Sequence, residues 1–181
     1  MYKRFLSIYK IPLLVSLTLS IILIALQVTR EPLGIATIVL GSLLGTFMLD
    51  MEYVIYAYIL EPERDFSKTL TAYIKDKDIA NTFLFIHSHT DEIKDKTLNS
   101  AVFQIVLALF SIFAISASTS NFISALILSI FANSLYHLAE AYFENKVDDW
   151  FWALKIKPTR QQIIIYALVL FGIFSYCVSI F

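Results

Sequence analysis

The chain has 181 residues, 58% of them hydrophobic and only 16% charged, which excludes a disordered chain. Fourteen Lys and Arg against fifteen Asp and Glu leave a net charge of −1, and no basic surface for nucleic acid follows from that balance. A single cysteine, Cys177, excludes a disulfide framework and a thiolate zinc site.

Crossing a bilayer as a helix takes roughly 20 predominantly apolar residues. Five stretches meet or approach that length: 11–28, 33–60, 100–118, 121–143 and 161–181. The first is longer than the apolar part of a signal peptide and lacks an obvious small-x-small cleavage site, so it reads as a retained span. Pro32 and Pro62 bracket the second, because a proline disfavours helix in the residue before it. As one helix, 33–60 would be roughly 42 Å long at 1.5 Å per residue, so it must tilt or emerge from the bilayer. Within 66–86, the near-helical spacing of Phe66, Leu70, Tyr73 and Ile74 predicts short amphipathic helices. A tight turn at 118–121 makes the third and fourth spans a hairpin. Trp150 and Trp152 beside Lys155 and Lys157 have the composition of an interfacial anchor. No internal repeat supports an inverted-repeat transporter. The reading is all-α: a single polytopic transmembrane helical bundle over 1–181 with about five spans.

Charge sets the orientation. With five spans, thirteen of the fourteen basic residues fall on one side and Arg30 alone on the other. The positive-inside rule then places the N-terminus, the segment 61–99 and the segment 144–160 in the cytoplasm.

Polar groups inside the spans gather at that same boundary. Asp50 lies 17 residues past Leu33, and His137 lies 16 past Asn121. Both helices start from the non-cytoplasmic side, so both groups sit roughly 25 Å deep. On the fourth span Asn133, His137, Glu140 and Glu144 are spaced 4, 3 and 4, which is one helical face. Such a stripe belongs against protein or water, since lipid satisfies neither an imidazole nor a carboxylate. Asp50 and Glu52 share a face only if the second span loosens there. His87 and His89 share a side only if 87–91 is extended, in which case His87, His89 and Asp91 form a chelating run. Imidazole and carboxylate suit zinc, manganese or iron, so Asp50, Glu52, His87, His89, His137 and Glu140 are candidate ligands of a divalent metal ion. Against this stands a plainer alternative. Asp50 and Glu52 would serve the interface or pair with Arg64, the histidines 87 and 89 would be exposed loop, and the stripe would join helices. Gly41 and Gly45 form a small-xxx-small face for close helix packing, within the chain or with a second copy or another subunit. No P-loop, dinucleotide glycine pattern, nucleophile elbow or HExxH is present, so no residue is assigned as catalytic.

In order along the chain, Leu49-Asp50-Met51-Glu52, His87-Ser88-His89-Thr90 and His137 with Glu140 resemble the membrane-bound metal-dependent hydrolase family. That family carries Pro-Asp-x-Asp at the end of a glycine-containing helix, then a His-Arg…Thr-His-Ser run, then a helix with His-x-x-x-Asp. The likeness covers about residues 34–158. Leu49 replaces the proline, Glu52 the second aspartate, and Ala141 stands where the distal aspartate would be. The resemblance implies a metal-dependent hydrolase acting on a lipid-like substrate. The contrasting reading is a non-catalytic scaffold or accessory subunit. Under both, the chain is integral to a membrane, expected to be a bacterial or archaeal cell membrane, and its surroundings are lipid.

Overall fold

The computed structural model describes residues 2–26, 31–89, 93, 96–117, 120–155 and 157–181, the side chains of 2–6 excepted. Asp91 and Arg30 and the turn residues 118–119 lie outside the described residues. Every regular element among them is helical. Helix α1 covers Tyr2–Leu26, α2 Pro32–Met48 and α3 Met51–Ile55, which continues as a π-helical turn over Tyr56–Leu60. Next come α4 (Asp65–Lys75), α5 (Ile79–Ser88), α6 (Ala101–Ser116), α7 (Asn121–Phe143), the short α8 (Val147–Trp150) and α9 (Arg160–Ser179).

The helix starts are set by their capping residues. Pro32 opens α2 at the position where its missing N–H costs nothing. Ser100, Ser120 and Asp78 each accept an N–H from the first turn of α6, α7 and α5. Thr159 and Gln162 form a reciprocal capping box at the start of α9.

Three helices are long and apolar enough to cross a membrane: the Ser7–Leu26 part of α1, α7 and α9. Counting α2 with α3 and its π-turn as one broken span makes four. The apolar α6, with 16 residues, is shorter, roughly 24 Å. The expected single helix over 33–60 is not what forms. Its two parts are bent by 54° at Leu49–Asp50. The bend turns Asp50 toward α1, where the Tyr9 hydroxyl donates to Oδ2 at 2.5 Å.

Pair contacts give the helix directions. Tyr9 meets Asp50 and Ser16 meets Thr46, so α1 runs antiparallel to α2. Gly41 lies against Phe122 and Gly45 against Ser129, so α2 and α7 run parallel. The α6 amide of Gln104 reaches the Ser134 carbonyl, and the rings of Phe131 and Phe174 meet at 5.6 Å. Ala101 and Ile163, early in α6 and α9, lie with Leu138 late in α7, and Ile115 and Cys177, late in α6 and α9, lie with Ala125 and Leu128 early in α7, so α6 and α9 both run against α7.

The closest helix pair is α2 with α7. A Cβ on Gly41 would collide with the Phe122 carbonyl oxygen, and one on Gly45 would lie 2.5 Å from Ser129 Cβ. The small-residue face is therefore filled within the chain, and an oligomer would have to use another face. Beside it Leu19, Leu23, Ile38, Ala125, Leu128 and Cys177 form one apolar core. Leu107, Ala108, Ile127, Phe131 and Leu170 form a second between α6, α7 and α9. Ile21, Leu33, Leu109, Phe113, Leu168 and Phe171 point outward, each at least 60% exposed. An apolar exterior of this kind is what a bilayer covers. At one end, α4 and α5 fold back on α3 through Phe66, Leu70, Ile86, Tyr53 and Tyr56.

Candidate functional site

The end of the bundle where α2 and α7 finish holds a cavity of about 350 Å3. One wall is Tyr9 and Pro12 of α1 with Thr46 at the end of α2. Asp50 and Tyr53 follow across the bend, and Ile86 and His87 come from α5. The opposite wall is the last turns of α7, with Tyr136, His137, Glu140 and Glu144. Lys96, Asn99, Lys146, Asp149 and Trp150 complete it.

Four of the six candidate ligands, Asp50, His87, His137 and Glu140, line this one cavity. Glu52 and His89 do not, for reasons of helix geometry. Residues two apart on a helix point about 200° away from each other. Asp50 thus turns to the cavity while Glu52, 7% exposed, turns to the chain before α6. There the Glu52 carboxylate accepts the N–H groups of Thr97, Leu98 at 3.0 Å and Asn99 at 3.3 Å, and the Asn99 amide at 3.1 Å. Its role is to anchor the connection into α6. His87 and His89 separate for the same reason, because α5 is helical through Ser88 and the extended backbone that a shared side requires does not form there. His89 stacks on Phe85, with ring centroids 4.1 Å apart, and its Nδ1 lies 2.9 Å from the Phe85 carbonyl. Arg64, expected beside Asp50 or Glu52, instead pairs with Glu61 at 3.4 Å and donates to the Tyr56 hydroxyl.

The α7 stripe runs from the core out along the cavity wall to Glu144, whose side chain is 52% exposed, and it divides in two. Asn133, fully buried, donates its amide to Ser16 Oγ and the Ser129 carbonyl, both at 2.9 Å. It joins α7 to α1. One and two turns further on, the His137 ring Nδ1 lies 3.0 Å from Glu140 Oε2. The other Glu140 oxygen accepts the Tyr136 hydroxyl at 3.1 Å. Glu140 is therefore a bracket that orients the imidazole. In the tautomer that carries its proton on Nδ1 and donates to the carboxylate, Nε2 is the accepting nitrogen.

Several cavity residues were not among the expected site residues: Tyr9, Tyr53, Tyr136, Lys96, Lys146 and Asp149. Only Tyr136 had a legible signal, its i, i+4 spacing to Glu140. Trp150 and Trp152, expected as interfacial anchors, make specific bonds. Trp150 donates to Gln104 Oε1 at 3.2 Å and Trp152 to the Lys96 carbonyl at 2.7 Å.

The donor set was tested against the divalent ion that the resemblance implies. Among the described residues, no three His, Cys, Asp or Glu side chains are grouped to hold a metal. Glu140 is occupied by His137 and Tyr136, and Asp50 holds Tyr9. As placed, the described side chains do not fit a metal centre. Compared with protein-family models, with curated proteins and with solved structures, the chain matches none of them.

Proposed function

We propose that the protein is a membrane-embedded, hydrolase-like enzyme whose cavity opens at the cytoplasmic boundary and receives the polar head of an amphiphile. In this reading α1, the broken α2–α3 segment, α6, α7 and α9 are five crossing segments. The N-terminus and the α4–α5 hairpin are cytoplasmic. Two observations support the topology: the alternating helix directions and the one-sided distribution of Lys and Arg. A reporter active only outside the cytoplasm should therefore work when fused after Phe181 and fail when inserted in the 75–78 turn. The reverse pattern would remove the five-span arrangement.

The observation that carries the functional reading is the His137–Glu140 pair on the cavity wall. A scaffold role accounts for Asn133, which bonds to another helix. It accounts less well for His137 and Glu140, whose hydrogen bonds stay within α7. An oriented imidazole beside a water-accessible cavity is the arrangement of a general base. Nε2 would take a proton from water as its oxygen attacks an ester, amide or phosphoester carbon or phosphorus. The same proton then passes to the leaving group.

The test is turnover of long-chain esters, N-acyl amides and alkyl phosphodiesters with chromogenic leaving groups by the protein in neutral detergent. One class should be hydrolysed, with His137→Ala slower by about a hundredfold and Glu140→Gln by about tenfold, the usual range for acid–base groups. Turnover by His137→Ala at the wild-type rate, or none by the wild type with or without added Mg2+, Mn2+ or Zn2+, would overturn the reading.

A further inference from the structure

The cavity meets a buried polar seam between α1, α2 and α7, and the directions of the Ser129, Ser16 and Thr46 hydroxyls in that seam follow from one bond. Ser129 donates its hydroxyl proton to the Ser42 carbonyl at 2.5 Å. Ser129 Oγ, 2.9 Å from Ser16 Oγ, must then accept from Ser16. Ser16 Oγ, 2.7 Å from Thr46 Oγ1, must in turn accept from Thr46. Each hydroxyl has one proton, so the chain is committed throughout. Its open end is Thr46, 2% exposed and on the cavity wall, whose remaining lone pair has no donor. Asn133 obeys the same polarity: its amide protons serve Ser16 and Ser129, while its buried Oδ1 has no partner. Thr46 Oγ1 already bonds to Ser16, and its remaining lone pair is left to accept from a donor that enters the cavity.

The charges agree. Asp50, Glu140, Glu144 and Asp149 line the cavity against Lys96 and Lys146. Lys146 pairs with Glu144 at 3.3 Å, and the Lys96 ammonium sits over the Tyr53 ring, 5.8 Å from its centroid. Neither Asp50 nor Asp149 forms an ion pair within 4 Å among the described residues, although Lys96, His87 and His137 lie near enough to Asp50 to act on its charge. Asp50 is one helical turn beyond Thr46, on the same side. Tyr9, Tyr53, Tyr136 and Trp150 supply aromatic walls, which attract organic cations.

We infer that the cavity takes a protonated primary amine at the head of an amphiphile, held by Asp50 and Thr46, and not a phosphate head. This rests on the amphiphile-binding reading above and names its ligand class. The test is calorimetric titration of the full chain in maltoside micelles with dodecylammonium, dodecyltrimethylammonium, dodecyl phosphate and dodecanol, and with Mg2+ or Zn2+ alone. Dodecylammonium should bind saturably. Removing its N–H donors, as in the trimethyl compound, should weaken binding about tenfold, the value of one charge-assisted hydrogen bond. Asp50→Asn should weaken it by a similar factor, and Asp149→Asn, on exposed α8, by less; the latter keeps the test open should Asp50→Asn not fold. Gly172→Ala on α9, whose new methyl meets nothing within 4 Å, should bind as wild type does. Equal heats from the phosphate or the alcohol, saturable binding of a divalent ion in preference to the amine, or insensitivity to both Asp50→Asn and Asp149→Asn would overturn the inference. Amine binding without turnover of any substrate would sink the hydrolase reading alone. His137-dependent turnover with preference for the phosphate would sink the amine inference alone.

Discussion

Glu52→Ala should destabilise the detergent-solubilised protein by about 3 kcal/mol, because it removes a charged acceptor from several part-buried donors at once and a hydrogen bond to a charged group contributes roughly 1.5–3 kcal/mol. The donors are the N–H groups of Thr97, Leu98 and Asn99 and the Asn99 side-chain amide. They lie just ahead of Ser100, whose hydroxyl accepts from the Phe103 N–H and caps α6. Losing the carboxylate therefore releases the connection and weakens the start of the helix. Glu52→Gln should fall between, since its amide oxygen still accepts while its NH2 faces other donors. Denaturant or thermal unfolding followed by circular dichroism reads both. A Glu52→Ala change below about 0.5 kcal/mol, the range of an ordinary surface substitution, would mean the carboxylate is not an anchor.

Gly45→Ala should cost about 3 kcal/mol, at the upper end of overpacking penalties. The new methyl would stand 2.5 Å from Ser129 Cβ and 2.9 Å from the Leu126 carbonyl oxygen. A backbone carbonyl on a helix cannot swing away, so α2 and α7 must part. Parting them also strains the Ser129–Ser42 bond and the seam that ends at Thr46. Gly172→Ala on α9 is the control, because its methyl would meet nothing within 4 Å. There the helix propensity of alanine should leave stability unchanged or raised by about 0.5–1 kcal/mol. If the two substitutions unfold alike, the α2–α7 contact is not the tight one described.

The two changes also bear on the cavity differently. Glu52 sits behind the wall that carries Lys96 and Asn99, whereas Gly45 sets the distance between the helices that carry Asp50 and His137. Gly45→Ala should therefore depress any His137-dependent turnover even where the protein remains folded, through displacement of the opposing walls.

Much of this was legible in the chain because it depends on local chemistry. Apolar length is a property of each segment, and it marked the helices of a membrane bundle directly. The polar stripe on α7 was legible for a similar reason: four polar residues at helical spacing in an apolar helix have only one tolerable direction. The proximity of Asp50 to His137 followed from depth alone, since both helices rise by the same amount per residue.

What tertiary structure decided was which face each flanking polar residue presents. Asp50 with Glu52, and His87 with His89, are pairs two apart, and their relation inverts between extended and helical backbone. Nothing local settled that choice. The bend at Leu49–Asp50 is accompanied by a bond to Tyr9, forty-one residues earlier, and α5 is docked through Ile86 on Tyr53 and Phe66. The chain's composition thus determined a membrane bundle with polar groups at one end. Packing among distant helices determined that Glu52 anchors a connection, that His89 stacks on its own helix, and that the seam's protons run away from the cavity, because hydrogen-bond direction exists only once the partners are in place.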